Sequence, residues 1–141
     1  MSIQNKTGSL VMLLVLAVGF VTAMPVLSAA ADKPQAAKKN DIERLPGLWG
    51  RTDAGYFLEL KEVVKDGTLK AAYFNPRSIN VSRAEWKRKE GRIQLFVELR
   101  DTNYPGSSYS LTYNPDNDRL SGTYFQAVQK ETYPVEFVRG R

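Results

Sequence analysis

The sequence contains no cysteine and no histidine, and these two absences exclude much chemistry. Without cysteine there is no disulfide framework and no thiol to carry a lipid. Without histidine or cysteine the usual nucleophilic triads cannot be assembled. A pair of carboxylates stays possible, but the spacing of the glutamates singles out no pair; they are Glu59, Glu62, Glu85, Glu98 and Glu136. We therefore expect no enzyme and no cofactor.

Metal and nucleic-acid sites are also not indicated. The acidic cluster at Asp116, Asn117 and Asp118 follows Asn114-Pro115 and has the composition of a turn, so no metal site is predicted. The net charge is only +5, without the basic face and stacking aromatics of a nucleic-acid module. We expect no nucleic-acid partner, whereas contact with an anionic surface stays open.

A signal peptide is predicted over residues 1–31. Lys6 precedes an apolar run at 10–21 that is shorter than the roughly 20 residues of a membrane span. Small residues then lead to Ala31, where cleavage is expected. The alternative is an uncleaved anchor. Cleavage would place the protein in the periplasm or the extracellular medium.

Residues 32–44 are predicted to be a flexible leader. Ile42 is their one sizeable apolar side chain, so they cannot bury enough surface to offset the entropy of ordering. The alternative is an arm that inserts into a partner. Residues 45–141 have the length of one domain stabilised by its own core.

Seven turn signals divide this domain into eight candidate strands. Short connections of this kind make neighbouring strands antiparallel. The signals are Asp53-Ala54-Gly55, Lys65-Asp66-Gly67, Asn75-Pro76, Lys89-Glu90-Gly91, Asn103-Tyr104-Pro105-Gly106, Asn114-Pro115-Asp116-Asn117-Asp118 and Gln129-Lys130-Glu131.

Apolar and polar residues alternate along these strands with a period of two, which indicates one buried face. In the fourth segment Ile79 and Val81 are out of phase with Ala84 and Trp86, which predicts a bulge near Ser82-Arg83. The expected inward residues are Leu58, Leu60, Leu69, Ala71, Tyr73, Ile93, Leu95, Val97, Leu99, Tyr109, Leu111, Tyr113, Leu120, Gly122, Tyr124, Tyr133, Val135 and Phe137.

The predicted fold is all-β, an eight-stranded antiparallel up-and-down meander closed into a small barrel, because closure removes exposed strand edges. Gly47-Leu48-Trp49 on the first strand and Arg139 on the last resemble the lipocalin and streptavidin-like (calycin-type) barrels. The resemblance implies that the Arg139 guanidinium packs over the Trp49 indole and closes one end. The chain lacks the lipocalin cysteines and a long loop after the first strand, so no lipid-binding or biotin-binding residues are inferred.

An eight-stranded barrel is either filled by side chains or holds one small ligand. Four tyrosines are predicted to face inward: Tyr73, Tyr109, Tyr113 and Tyr124. Their rings and hydroxyls suit a small aromatic or sugar-like molecule at the mouth of the barrel. The alternative is that they fill the core.

Two arginines at turns complete the predicted ligand-binding set. Arg77 and Arg100 could present guanidinium forks to a carboxylate or phosphate. Alternatively, Glu98 and Asp101 pair with them on a solvated rim.

A second predicted surface is the hairpin around Glu90-Gly91, where basic residues follow an aromatic one. Trp86, Lys87, Arg88, Lys89 and Arg92 could dock on an anionic membrane or glycan, and Phe96 could extend the patch. The alternative is an ordinary hairpin tip.

Three functions follow from these patterns. The leading hypothesis is an exported binding protein that holds an unknown small molecule at a tyrosine-lined mouth. The second is a module that binds an envelope protein or inhibits a secreted hydrolase, inserting either the leader or residues 103–108. The third is an envelope structural protein that contacts an anionic surface.

Overall fold

The computed structural model describes residues 38–140. A short 3-10 helix, Lys39–Arg44, is followed by nine antiparallel strands. The strands are β1 (Gly47–Arg51), β2 (Phe57–Val63), β3 (Leu69–Asn75), β4 (Arg77–Ile79), β5 (Val81–Lys89), β6 (Arg92–Asp101), β7 (Tyr104–Asn114), β8 (Arg119–Gln126) and β9 (Glu131–Arg139). The predicted signal peptide and residues 32–37 of the predicted leader lie outside the described residues.

The strands form one meander that is nearly closed into a barrel. The sheet order is β4-β3-β2-β1-β9-β8-β7-β6-β5, so β1 pairs with β9 and the edge strands are β4 and β5. Thr68, immediately before β3, forms a bridge with Glu85 of β5, and the backbone N–H of Trp86 donates to the Gly67 carbonyl at 2.9 Å. We call this junction of β3 and β5 the seam.

The structure has nine strands instead of the predicted eight because the fourth predicted strand divides at Asn80. Before Asn80, β4 pairs with β3, and after it β5 pairs with β6. The register shifts between Val81 and Arg83, which confirms the bulge predicted near Ser82-Arg83. A bent segment can therefore serve two different neighbours in succession.

The chain reverses at or beside each predicted turn. Glu90 and Gly91 have φ of 52° and 73° between the paired residues Lys89 and Arg92, as a tight two-residue hairpin requires. The β6–β7 reversal occupies only Thr102 and Asn103, because β7 already begins at Tyr104. The loop predicted as an inserting element over residues 103–108 is therefore mostly strand.

The predicted alternation places the core correctly except at the start of β9. Tyr133 is 38% exposed, and its hydroxyl donates to Gln129 Oε1 at 2.9 Å on the rim. Ala71 and Gly122 are half-buried, and the other predicted inward residues are buried. Trp49 and Leu45 are fully buried as well.

The described part of the predicted leader is the 3-10 helix, and it packs on the barrel. The Asp41 side chain is buried and accepts the backbone N–H of Lys38, while Ile42 packs against the core. The polar composition of this segment does not indicate that Asp41 is buried or that Ile42 contacts the core. Among residues 38–140, no helix has the length and hydropathy of a membrane span.

Candidate functional site

One end of the barrel is closed by a cluster that we call the sealed end: Trp49, Tyr113, Asp118 and Arg139. The Arg139 guanidinium carbon lies 3.9 Å from the centroid of the Trp49 ring, which is the contact that the sequence predicts. The Trp49 indole N–H donates to the Leu45 carbonyl at 3.0 Å, and its ring meets Tyr113 edge to face at 6.0 Å. The first and last strands of the chain are linked here.

Arg139 uses its whole guanidinium in this cluster. Its Nε donates to Asp118 Oδ2 at 2.8 Å, its Nη1 to the Pro46 carbonyl at 2.9 Å, and its Nη2 to the Arg44 carbonyl. Burial opposes the charge of Asp118, but hydrogen bonds from Arg139 and Tyr113 outweigh it and lower the pKa of this carboxyl. The polar groups of these four side chains are hydrogen-bonded to one another or to the backbone carbonyls of Arg44, Leu45 and Pro46.

The opposite end holds a depression of about 420 Å³, which we call the mouth. Four tyrosines line it: Tyr56, Tyr73, Tyr104 and Tyr124. The rings of Tyr56 and Tyr104 meet that of Tyr73 edge to face, at centroid distances of 6.4 and 6.5 Å. Four of the ten lining residues are therefore aromatic.

Polar side chains complete the lining. They are Asn75, Arg77, Thr102, Asn103 and Gln126, with Ile79 as the one aliphatic contribution. The Asn75 amide donates to the Tyr104 hydroxyl, which joins the end of β3 to the start of β7. Amide groups offer both hydrogen-bond donors and acceptors, so the rim can orient a polar guest.

Tyr109 forms the floor beneath the mouth. Its hydroxyl oxygen lies 2.8 Å from that of Tyr73, and its ring stacks on Tyr124 at 4.6 Å. Below it, Phe137 packs against the same ring at 5.4 Å. Burial raises the pKa of Tyr109 to about 12 and also raises that of Tyr73. Packed aromatic rings thus lie directly beneath the mouth.

A half-buried ion pair supports the floor from the side of β1. The Arg51 side chain is 10% exposed and lies over the rings of Tyr56 and Tyr124, at 5.3 and 5.8 Å from their centroids. It donates to Asp53 through Nε at 2.6 Å and Nη2 at 2.9 Å. Burial opposes its charge, but hydrogen bonds to Asp53 and the neighbouring Tyr109 outweigh it and raise the pKa of Arg51.

The four predicted tyrosines are divided between the two ends. Tyr73 and Tyr124 line the mouth, and Tyr109 lies directly beneath them. Tyr113 lies at the sealed end, where its hydroxyl donates to Asp118 at 2.7 Å. It is therefore removed from the predicted ligand-binding set.

The two predicted arginines are also separated. Arg77 lines the mouth. Arg100 is not among the lining residues; it is exposed and pairs with Glu98 at 3.1 Å. Asp101 accepts backbone N–H groups of Asn80 and Thr102, which lower its pKa, and does not pair with Arg100. Successive side chains of a strand point to opposite faces, so Arg100, which follows the buried Leu99 on β6, points outward.

In the predicted docking hairpin, the aromatic residue Trp86 is buried and does not form part of the exposed surface. Trp86 is only 8% exposed, and its indole N–H donates to the Val64 carbonyl at 2.6 Å across the seam. Lys87, Lys89 and Arg92 are exposed. Arg88 is also exposed and donates to the Lys38 carbonyl at 3.2 Å. Phe96 is half-buried under the Arg83 guanidinium.

The sequence did not predict seven of the ten residues that line the mouth, nor Arg51 beside its floor; the seven are Tyr56, Asn75, Ile79, Thr102, Asn103, Tyr104 and Gln126. Tyr56 and Tyr104 stand at strand ends, where alternation gives no direction. Arg51 had a usable signal, since it lies two residues after Trp49 on a strand and so shares its inward face. A cation on an inward position is rare enough to indicate a special environment.

Within the described part of the chain, no three acidic side chains are grouped so that they could hold a metal ion.

Comparison of the chain with protein-family models, with curated proteins and with solved structures finds no match.

Proposed function

We propose that this chain is a binding protein that holds a small organic molecule in the mouth of its barrel. The observation that carries the proposal is the contrast between the two ends. The sealed end satisfies its own polar groups, whereas the mouth leaves a space of about 420 Å³ between aromatic rings and amide side chains. Small-molecule sites commonly have volumes of roughly 300–1,000 Å³ and this mixture of apolar walls and a few polar groups.

The floor favours a shallow site. Because Tyr73, Tyr109 and Tyr124 contact one another, a guest would rest on packed rings and would not enter the interior. A prearranged lining loses little conformational entropy when a ligand binds. This supports a single-ring or similarly compact guest.

The test fills the mouth by substitution. Gln126→Trp places an indole in the lining of β8, and Thr123→Trp places the same group at an exposed position of that strand. Saturation-transfer NMR with a mixture of phenol, benzamide, benzoate and benzylamine should detect binding to the wild type and to Thr123→Trp, and lose it in Gln126→Trp. Absence of binding to the wild type, or equal binding to both variants, would refute a ligand site at the mouth.

We further propose that the barrel is of the lipocalin and streptavidin-like type and is exported. The contact of Arg139 with Trp49 and the pairing of the first strand with the last support the first part. The apolar run before Ala31 supports the second. Intact mass of the protein isolated from its own host should correspond to a chain beginning at Asp32. A mass that includes residues 1–31 would refute cleavage.

A second candidate function is contact with an anionic surface through the β5–β6 hairpin. Lys87, Lys89 and Arg92 are exposed beside a single acidic residue of the turn, Glu90. With Trp86 buried, this attraction would be electrostatic and screened by salt. Vesicles containing phosphatidylserine should bind the protein at low salt and release it at high salt. Binding unaffected by charge reversal of Lys87 and Lys89 would refute this role.

A further inference from the structure

The lining of the mouth carries one formal charge. Its ten described residues include no aspartate or glutamate, and Arg77 is the sole lysine or arginine among them. Among the described residues, no aspartate or glutamate forms an ion pair with Arg77. Arg77 is an exposed residue and thus adds one positive charge to a lining whose other side chains are neutral.

The neighbouring ionic groups do not change this balance. Arg51 lies beside the floor, but its charge is matched by the two-pronged contact with Asp53. Asp101, next to Thr102 of the lining, directs its carboxylate to the backbone N–H groups of Asn80 and Thr102. Arg77 therefore provides the unmatched charge that a guest in the mouth would meet.

Tyrosine rings alone would also suit a cation, because their faces attract ammonium groups. Here a cation would lie near Arg77 with no carboxylate in the lining to balance it. An anion would gain the guanidinium fork, whose paired N–H donors match the two oxygens of a carboxylate. A phosphate monoester carries nearly two negative charges at neutral pH and would exceed the single positive charge available.

On this basis, and resting on the proposed function, we infer that the mouth binds a compact aromatic monocarboxylate. Its ring lies among Tyr56, Tyr73 and Tyr124, and its carboxylate meets the Arg77 guanidinium at the rim. The amides of Asn75 and Gln126 are placed to bind polar substituents of the ring.

The inference is tested with four probes of one size: benzoate, benzamide, benzylammonium and phenyl phosphate. Dissociation constants come from titrations followed by the backbone amide NMR signals of the full chain. The matched variants are Arg77→Gln and Arg100→Gln, which remove the same charge inside and outside the mouth. Benzoate should bind the wild type most tightly. Arg77→Gln should weaken benzoate about tenfold, the effect of one charge-assisted contact, and leave benzamide unchanged.

Arg100→Gln should change the dissociation constant of neither benzoate nor benzamide. This control separates the effect of the Arg77 contact from the effect of a lower net charge. If benzamide, benzylammonium or phenyl phosphate binds at least as tightly as benzoate, the carboxylate class is wrong although the mouth remains a binding site. The same holds if Arg100→Gln weakens benzoate as much as Arg77→Gln does. If no probe shifts the signals of mouth residues, both this inference and the proposed function are refuted.

Discussion

Arg139 combines several interactions that are usually distributed over different residues. It packs on the Trp49 ring at 3.9 Å, pairs with Asp118 at 2.8 Å and donates to backbone carbonyls of the segment before β1. Because β1 and β9 are neighbours in the sheet, this one side chain connects the first strand, the last strand and the β7–β8 turn. These contacts lie at the end of the barrel opposite the mouth.

Arg139→Ala should therefore destabilise the fold by about 2–3 kcal/mol, from the lost ring contact and the lost charged hydrogen bonds. Arg119→Ala is the matched control, because Arg119 forms a more exposed pair with Glu136 and should cost less than about 1 kcal/mol. Urea unfolding followed by fluorescence measures both. Equal losses in the two variants would contradict a special role for Arg139.

Gly122 is required by a close approach of backbone. A Cβ at this position would overlap the Ser110 carbonyl oxygen and lie 2.9 Å from the Leu111 Cα on β7. Gly55, in the β1–β2 turn, has open space where a Cβ would stand. The two glycines thus form a natural pair for comparison.

Gly122→Ala should lower the free energy of unfolding by more than about 2 kcal/mol, because β7 and β8 must separate locally. Gly55→Ala should change it by less than about 1 kcal/mol. Thermal and urea denaturation of both variants give the comparison. A Gly122→Ala protein as stable as Gly55→Ala would mean that the strands adjust freely.

Among the strands, the seam is the weakest junction. β7 and β8 are paired on both sides along their lengths, whereas across the seam the pairing is a single bridge between Glu85 of β5 and Thr68, the residue before β3. The indole of Trp86 spans this junction through its hydrogen bond to Val64. Strands with fewer backbone partners open at lower free energy.

Trp86→Phe keeps an aromatic ring but removes this hydrogen bond. We expect faster amide hydrogen exchange in β3 and β5 and unchanged exchange in β7 and β8, measured by NMR under native conditions. An acceleration shared by all strands would instead indicate global destabilisation, and no acceleration at the seam would show that the Val64 contact does not hold it.

Local patterns predict the strands better than they predict the site. Turn residues and alternation locate the reversals and the inward faces, because both depend on the backbone conformation of a few neighbouring residues. Alternation correctly placed Tyr73, Tyr109, Tyr113 and Tyr124 inside. It could not tell which end of the barrel each one occupies, because that depends on the stagger between strands.

Local patterns also do not predict that the fourth predicted strand divides at Asn80. The phase break predicted a bulge, and the register confirms it. The change of pairing partner from β3 to β6 depends on where distant strands end, which a local pattern does not contain.

The free energy of unfolding of the whole molecule depends on pH in the alkaline range, because tyrosine hydroxyls are buried in the folded state. Burial raises the pKa of Tyr109 to about 12 and raises that of Tyr73 above its usual value of about 10. Unfolding exposes both hydroxyls, so the unfolded chain loses these protons at lower pH than the folded chain. The stabilising contribution of these two hydroxyls is fully present below about pH 10 and is lost as the pH rises toward their pKa values in the folded state.

We therefore expect the free energy of unfolding to fall from about pH 10 to about pH 12, with a slope approaching 1.4 kcal/mol per pH unit for each buried tyrosine. Tyr73→Phe should reduce the slope more than Tyr133→Phe does, because burial raises the pKa of Tyr73, whereas Tyr133 is exposed and its pKa is raised chiefly by its hydrogen bond to Glu131. Urea unfolding across this range measures all three proteins. Equal slopes in the two variants would contradict the assignment to buried phenols.

Both ends of the described chain lie at the same end of the barrel. Lys38 is held by Arg88 and precedes the helix that packs at the sealed end, and the Gly140 N–H donates to the Leu48 carbonyl at 2.8 Å. The mouth is on the far side. A bead, surface or fusion partner attached through either position would therefore leave the mouth facing solution.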